Sequence, residues 1–114
     1  KQSELAKELC KSDVWFYPNL YSHETFCLCA LEAMAGGNLV ITRKYSGLIE
    51  TIGEGGILID EHSPEKFKIK AFNIIENMLS NPQKKFLMQK KAIERANKFT
   101  WGNISKLWFS LFKQ

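Results

Sequence analysis

The chain has 114 residues, 45% of them hydrophobic, and carries a net charge of +4. This length corresponds to one domain with its own core, and no apolar run approaches the about 20 residues that would cross a bilayer. We expect no signal peptide, because no apolar segment follows the polar start at Lys1. We therefore expect a cytoplasmic protein, and a peripheral membrane contact stays open.

Helical and strand patterns alternate along the chain. In order, they predict a helix over 4–11, a strand over 14–17, a helix over 26–35, a strand over 39–42, one or two helical turns over 48–52, a strand over 57–59, and helices over 64–80, 82–98 and from 101 onward. Proline after Ser63 and after Asn81 marks two helix starts. The apolar spacing from Trp101 to Phe112 predicts core packing for the last helix. Short apolar strands between helices indicate an α/β fold, a parallel sheet with helices on both faces.

Ligands bind such sheets at the carboxyl ends of the strands, so the loop before residue 26 is a candidate site. Glu24 and Glu32 are eight residues apart, and two helical positions at that spacing lie within about 80° of each other. Both carboxylates can then approach one groove, beside helix amides that form an anion site. Such groups suit a nucleoside diphosphate sugar. The alternative places Glu24 near the helix dipole and Glu32 on a solvated face, and the spacing alone favours it.

The stretch from Glu24 to Ile41 resembles a known family. Its sequence, ETFCLCALEAMAGGNLVI, is similar to the E-x7-E motif of the retaining glycosyltransferases of family 4, which have two Rossmann-like lobes in the GT-B arrangement. The similarity extends to 12–18, 46–59 and 99–101, and so covers nearly the whole chain. It implies that residues 1–114 are a Rossmann-like nucleotide-sugar-binding domain, the incomplete C-terminal half of a GT-B donor-binding lobe.

The resemblance also implies a reaction and residue roles. The reaction is transfer of a sugar, of hexosyltransferase type, from a nucleoside diphosphate sugar to an acceptor hydroxyl with retention, in the synthesis of a polysaccharide, glycolipid or glycoprotein glycan. Glu24 would be the catalytic residue at the transferred sugar, and Glu32 would bind the ribose hydroxyls. The further donor-binding residues would be the amides of Phe26, Cys27 and Leu28, together with Thr25 and His23. No metal and no other cofactor is implied.

The chain departs from the family pattern in several places. Thr25 and Cys27 stand where the family has glycines, and Leu39 stands where it has proline. An upstream Arg and Lys for the diphosphate, and the lobe that holds the acceptor, have no counterpart in these residues. We therefore expect either an excised fragment or a longer gene product, and we expect the isolated 114 residues to be inactive and prone to self-association. The last helix of this family often crosses to the other lobe, so the resemblance leaves open that part of the apolar stripe from Trp101 to Phe112 is an interlobe surface rather than core.

Two other functions stay open. One is a non-catalytic sugar-nucleotide-binding or scaffold module. The other is a basic nucleic-acid-binding domain, since residues 61–114 hold eleven basic and four acidic side chains. Its basic candidates are Lys84, Lys85, Lys90, Lys91, Arg95 and Lys98. We disfavour a nucleic acid partner, because these lysines alternate with apolar residues as on solvated helix faces.

The remaining chemically active side chains carry weaker signals. The three cysteines, Cys10, Cys27 and Cys29, form no C-x-x-C pair, so we expect reduced thiols. His62 is expected at the surface. The Arg43-Lys44 pair is expected to be solvated rather than to meet a phosphate. Tyr17 is expected in the core, and Tyr21 as a wall of the site loop.

Overall fold

The sheet and its helices follow the predicted order. A computed structural model describes residues 1–20 and 23–114. Its elements are α1 (Gln2–Lys11), β1 (Val14–Tyr17), α2 (Leu28–Ala35), β2 (Leu39–Arg43), α3 (Leu48–Ile52), β3 (Ile57–Ile59), α4 (Pro64–Leu79), α5 (Pro82–Asn97) and α6 (Trp101–Phe112). The α/β prediction is therefore confirmed.

The sheet is parallel, and β2 lies between β1 and β3. Val14 pairs with Leu39 on one side of β2, and Ile41 pairs with Ile57 on the other. All five residues of β2 are buried. Because side chains alternate along a strand, Val40 enters one core while Leu39 and Ile41 enter another. This explains why β2 is an almost unbroken apolar run.

Helices cover both faces of the sheet. The core on the Val40 face takes its buried helical residues from α2, α3 and α5: Ala30, Ala33, Met34, Leu48, Ile52, Ala92 and Ala96. The core on the opposite face takes Phe67, Ala71 and Met78 from α4. Four of the helical residues in the first core are alanines, whose short side chains let α2 and α5 approach each other closely.

The predicted helix starts are confirmed for α4, α5 and α6, and those of α1 and α2 are wrong; α1 begins at Gln2, two residues earlier than predicted. The side chains of Ser63, Asn81 and Thr100 each accept a hydrogen bond from the third backbone amide that follows. In contrast, α2 begins at Leu28, two residues later than predicted. The preceding residues are held by contacts with the loop after β2 and with α3, as described below, and they stay out of the helix.

The predicted core position of α6 is wrong. None of its residues is buried, and Trp101 and Phe112 are 86% and 81% exposed. Two large apolar side chains of α5, Phe86 and Ile93, are exposed as well. Helical spacing identifies an apolar face but not the surface that covers it. Within the described residues, α2, α3, α4 and α5 fill both faces of the sheet without α6.

Candidate functional site

The candidate site lies where β1 and β2 end. Tyr17 is the last residue of β1, and Ser46 follows β2 in the turn before α3. Glu24 lies in the chain between β1 and α2, and it forms hydrogen bonds with both Tyr17 and Ser46. This is the carboxyl edge of the sheet, the place where open parallel sheets bind their ligands.

The Glu24 carboxylate is held by one oxygen. The Tyr17 hydroxyl donates a hydrogen bond to Glu24 Oε1 at 2.8 Å. Glu24 Oε2 makes no hydrogen bond with another residue in the described part of the chain, and the side chain is only half-buried. One carboxylate oxygen is therefore fixed, and the other is open to accept a hydrogen bond from a ligand hydroxyl.

Glu32 lies in different surroundings. It is the fifth residue of α2 and is exposed. It lines a cavity of about 340 Å³ between α1 and α2, together with Gln2, Leu5, Ala6, Leu9, Cys10, Ala35 and Gly36. Glu24 does not line this cavity. Because Glu24 precedes α2 by four residues, the two side chains are not two positions of one helix, and the angle of about 80° expected between them does not apply.

The first turn of α2 has amides without a side-chain cap. Cys27 is the residue before the helix, and no side chain caps the helix there. The amide of Cys27 itself donates to Thr51 Oγ1 at 3.3 Å, so it is already paired within the protein. The amides of Phe26 and Leu28 have no such bond to another described residue. Of the three amides predicted to bind the donor, those of Phe26 and Leu28 therefore remain available to donate to a ligand.

The residues at the two positions where the family has glycines differ in setting. Thr25 is exposed, whereas the Cys27 side chain is 5% exposed and packs in the core on the Val40 face. Burial raises the pKa of the Cys27 thiol. Cys10 and Cys29 are free and exposed, and Cys27 is free as well.

A second group of side chains lies beside Glu24. The rings of His23 and Tyr45 are 5.2 Å apart, and the Tyr45 hydroxyl lies 3.2 Å from a ring nitrogen of His23. Arg43 Cζ lies 4.2 Å from the centre of the Tyr45 ring. His23 is therefore linked to the edge of the site through Tyr45. Tyr45 was not predicted as a site residue.

The expectation of a solvated Arg43-Lys44 pair is wrong for Arg43. Arg43 is buried, donates from Nη1 to the Leu20 carbonyl oxygen at 3.1 Å, and contacts His62 Nδ1 through Nη2. It is the last residue of β2, which places its side chain under the loops rather than in solvent. Lys44 and His62 are exposed as expected.

Tyr17, expected in the core, packs against the core on the Val40 face and also reaches the site. It is half-buried, and its hydroxyl contacts Glu24. Tyr21 and the motif residue Ser22 lie outside the described residues. Ser46 and Thr51, both bonded to the site loop, were missed. The Ser46-Gly47 dipeptide is a turn signal that points to the first of them.

The described residues contain neither a metal-ligand cluster nor a helix that could span a membrane. Over residues 1–20 and 23–114, no three His, Cys, Asp or Glu side chains are grouped so as to hold a metal ion. No helix in those ranges is both long enough and apolar enough to cross a membrane.

Comparison with known proteins identifies the family. The family model described as "Glycosyl transferases group 1" matches residues 1–99. The chain belongs to the group 1 glycosyl transferases. The Glu24 loop, the uncapped start of α2 and the Glu32 cavity all lie within the matched part of this group 1 chain.

Two curated relatives of this chain share one name. The chain is similar to the D-inositol 3-phosphate glycosyltransferase of Corynebacterium glutamicum (strain R), with 30% identity over 96% of this chain and 25% of that protein. It is 33% identical to the enzyme of the same name from Corynebacterium diphtheriae, over 87% of this chain and 22% of that protein. The group 1 chain thus spans about a quarter of the length of these relatives.

Proposed function

We propose that this chain is part of the donor-binding lobe of a retaining, family 4 glycosyltransferase of hexosyltransferase type. The protein would transfer a sugar from a nucleoside diphosphate sugar to an acceptor hydroxyl in glycan or glycolipid synthesis. The observation that carries the proposal is Glu24, whose carboxylate has one oxygen fixed by Tyr17 at 2.8 Å and the other open. It stands at the sheet edge of a chain that belongs to the group 1 glycosyl transferases.

In this proposal the two carboxylates bind hydroxyls of the donor. Glu24 Oε2 accepts a hydrogen bond from the transferred sugar, near the reacting centre. Glu32 accepts from the ribose hydroxyls, since it lines a cavity of about 340 Å³, within the size range of small-molecule sites. An ionised carboxylate accepts hydrogen bonds and donates none, which matches a ligand rich in hydroxyl donors.

The diphosphate would meet the start of α2. The helix begins without a side-chain cap, so the amides of its first turn lack side-chain partners and carry partial positive charge. We assign the diphosphate to these amides, with Phe26 and Leu28 as the donors carried over from the sequence motif. Thr25 and His23 complete the donor set at the exposed rim of the site.

The other proposed partners are inferred from the exposed residues of the chain. An acceptor glycan, lipid or protein would be held by parts of the protein outside these residues, and the exposed apolar face of α6 would contact another surface there.

We propose no nucleic acid partner. Lys85 forms an ion pair with Asp13 at 3.2 Å, and Arg95 donates a hydrogen bond to α3. Two of the six basic candidates for nucleic-acid binding are therefore engaged within the protein. The free thiols support a cytoplasmic location.

A non-catalytic sugar-nucleotide-binding module is the second candidate. The observation in its favour is the amide of Cys27, which is bonded to Thr51 rather than free. A site with one donor fewer would stabilise a developing negative charge less well. Such a module would bind nucleotides without turnover.

The test uses the complete gene product that carries these residues. It is incubated with a panel of radiolabelled sugar nucleotides and acceptors, and the anomeric configuration of the product is read by NMR. We expect retention, and a loss of about a hundredfold or more in kcat for Glu24→Ala. Glu76→Ala, on the exposed face of α4, is the control and should match the parent. Nucleotide binding without transfer would support the module instead.

A further inference from the structure

Ser46 has an unusual backbone conformation. Its φ angle is 51°, and no other non-glycine residue in the described parts of the chain has a positive φ. The left-handed region is unfavourable for a residue with a Cβ atom, and such residues persist only where surrounding contacts over-determine them. The contacts of Ser46 therefore indicate what its conformation is for.

Those contacts are with the backbone of Glu24. Ser46 Oγ accepts a hydrogen bond from the Glu24 N–H at 3.1 Å and donates one to the Glu24 carbonyl oxygen at 2.7 Å. The next amide, that of Gly47, donates to the same carbonyl oxygen at 2.7 Å. The turn and the site loop are in close contact, since a Cβ atom on Gly47 would lie 2.0 Å from the Thr25 carbonyl oxygen.

The side chain of Glu24 is fixed from a third direction. Tyr17, at the end of β1, donates its hydroxyl hydrogen to Oε1 at 2.8 Å. The Tyr17 backbone is itself fixed, because its carbonyl oxygen accepts from Thr42 Oγ1 of β2 at 2.6 Å. Two strands of the sheet thus support the hydroxyl that orients the carboxylate.

We infer that Ser46 and Tyr17 are positioning residues for Glu24. Ser46 Oγ bonds to both the backbone N–H and the carbonyl oxygen of Glu24. Tyr17 fixes Oε1 of the Glu24 carboxylate and leaves Oε2 open to a ligand. The inference rests on the proposed function, in which Glu24 contacts the transferred sugar. A reacting group misplaced by about 1 Å loses much of its effect on rate, so the strain at Ser46 is retained for position rather than for stability.

The decisive variant is Ser46→Gly, tested in the complete gene product. Glycine adopts a positive φ without strain, so the unfolding midpoint should stay at or above that of the parent. The hydroxyl is lost, so we expect kcat to fall about tenfold, while KM for the donor changes by less than twofold. Tyr17→Phe should show the same split. The control is Ser80→Ala, which removes a hydroxyl bonded to the Asn77 carbonyl oxygen at the exposed end of α4.

A second measurement needs no turnover. Hydrogen exchange at the Glu24 amide, which donates to Ser46 Oγ, should be about tenfold faster in Ser46→Gly than in the parent or in Ser80→Ala. Equal exchange in all three would overturn the inference, as would an active parent with unchanged kcat in Ser46→Gly. If the parent transfers no sugar but the variant shows the predicted change in exchange, the proposed function is wrong, whereas the bond between Ser46 and Glu24 is supported.

Discussion

The Thr51 hydroxyl oxygen accepts a hydrogen bond from the Cys27 backbone N–H across 3.3 Å. Thr51 lies in α3, and Cys27 is the residue directly before α2. Thr51 is fully buried, and its carbonyl oxygen accepts a further hydrogen bond from Arg95 Nε at 3.3 Å. One residue of α3 therefore joins the start of α2 to α5, and it helps to keep the residues before Leu28 out of the helix.

Thr51→Val tests this connection. Valine has nearly the same shape, but it leaves the buried Cys27 amide without its acceptor, which should lower the free energy of unfolding by about 1–3 kcal/mol. Urea denaturation of both proteins measures the difference. Thr25→Val, at an exposed position, should change it by less than about 0.5 kcal/mol. Equal effects of the two substitutions would show that the bond to Cys27 contributes nothing specific.

Glu32→Ala tests the second carboxylate. We expect nucleotide binding to weaken by about 1–3 kcal/mol, the size of a lost hydrogen bond to a charged group. Folding should be unaffected, because Glu32 is exposed on α2. Calorimetric titration of the complete gene product with nucleoside diphosphates gives the affinity, and Glu76→Ala serves again as the control. Identical affinity in mutant and parent would remove Glu32 from the site.

The local chain pattern predicts the strands well, for a physical reason. Val14–Tyr17 and Ile57–Ile59 are strands over their predicted residues, and β2 extends one residue beyond the prediction, to Arg43. Buried strands in a parallel sheet must be apolar on both faces, so each stands out as a short apolar run. Ser63 and Asn81, each followed by proline, mark the starts of α4 and α5 equally clearly.

The site geometry depends on contacts between distant parts of the chain, which local patterns do not contain. Ser46 and Glu24 are 22 residues apart, and Thr51 and Cys27 are 24 apart. No local signal shows that Thr51 holds the Cys27 amide, or that the residues before Leu28 stay extended. The motif could therefore indicate the chemistry of Glu24 and Glu32, but not the different surroundings of their two side chains.

The exposed face of α6 predicts self-association of the isolated 114 residues. Trp101, Trp108 and Phe112 are all exposed on this helix, and large apolar patches on soluble proteins drive association. Sedimentation velocity should show a mean mass that rises with concentration. The double variant Trp108→Ser, Phe112→Ser should reduce that rise, whereas Lys106→Ser on the same helix should not. A parent that remains monomeric at high concentration would contradict the prediction.

Glu61 predicts a pH dependence of stability. Its carboxylate pairs with Lys70 Nζ at 3.1 Å and accepts from the Ser63 amide, and these contacts, the Lys70 hydrogen bond foremost, lower its pKa. A lowered folded-state pKa adds stability that is present above the unfolded-state value, about 4.3, and is lost as the pH falls through the folded-state value.

Glu61→Gln should therefore unfold more readily than the parent at pH 7, and the difference should shrink as the pH falls below about 4. Thermal unfolding at several pH values measures this. Glu65→Gln, at an exposed position in the first turn of α4, is the matched control. A difference that stays constant from neutral to acidic pH would exclude the ionised pair as its cause.

The strand order of the sheet bears on how the chain folds during its synthesis. The described strands lie side by side as β1, β2 and β3, which is also the order in which a ribosome releases them. Both β2 and β3 find their neighbour already made, and none of these three described strands has to be inserted between two others. Loop-closure entropy rises only slowly with loop length, so both connections close at similar cost. The described sheet can therefore assemble in one direction. One edge of β2 is unpaired, and it stays so only for the time that β3 takes to emerge.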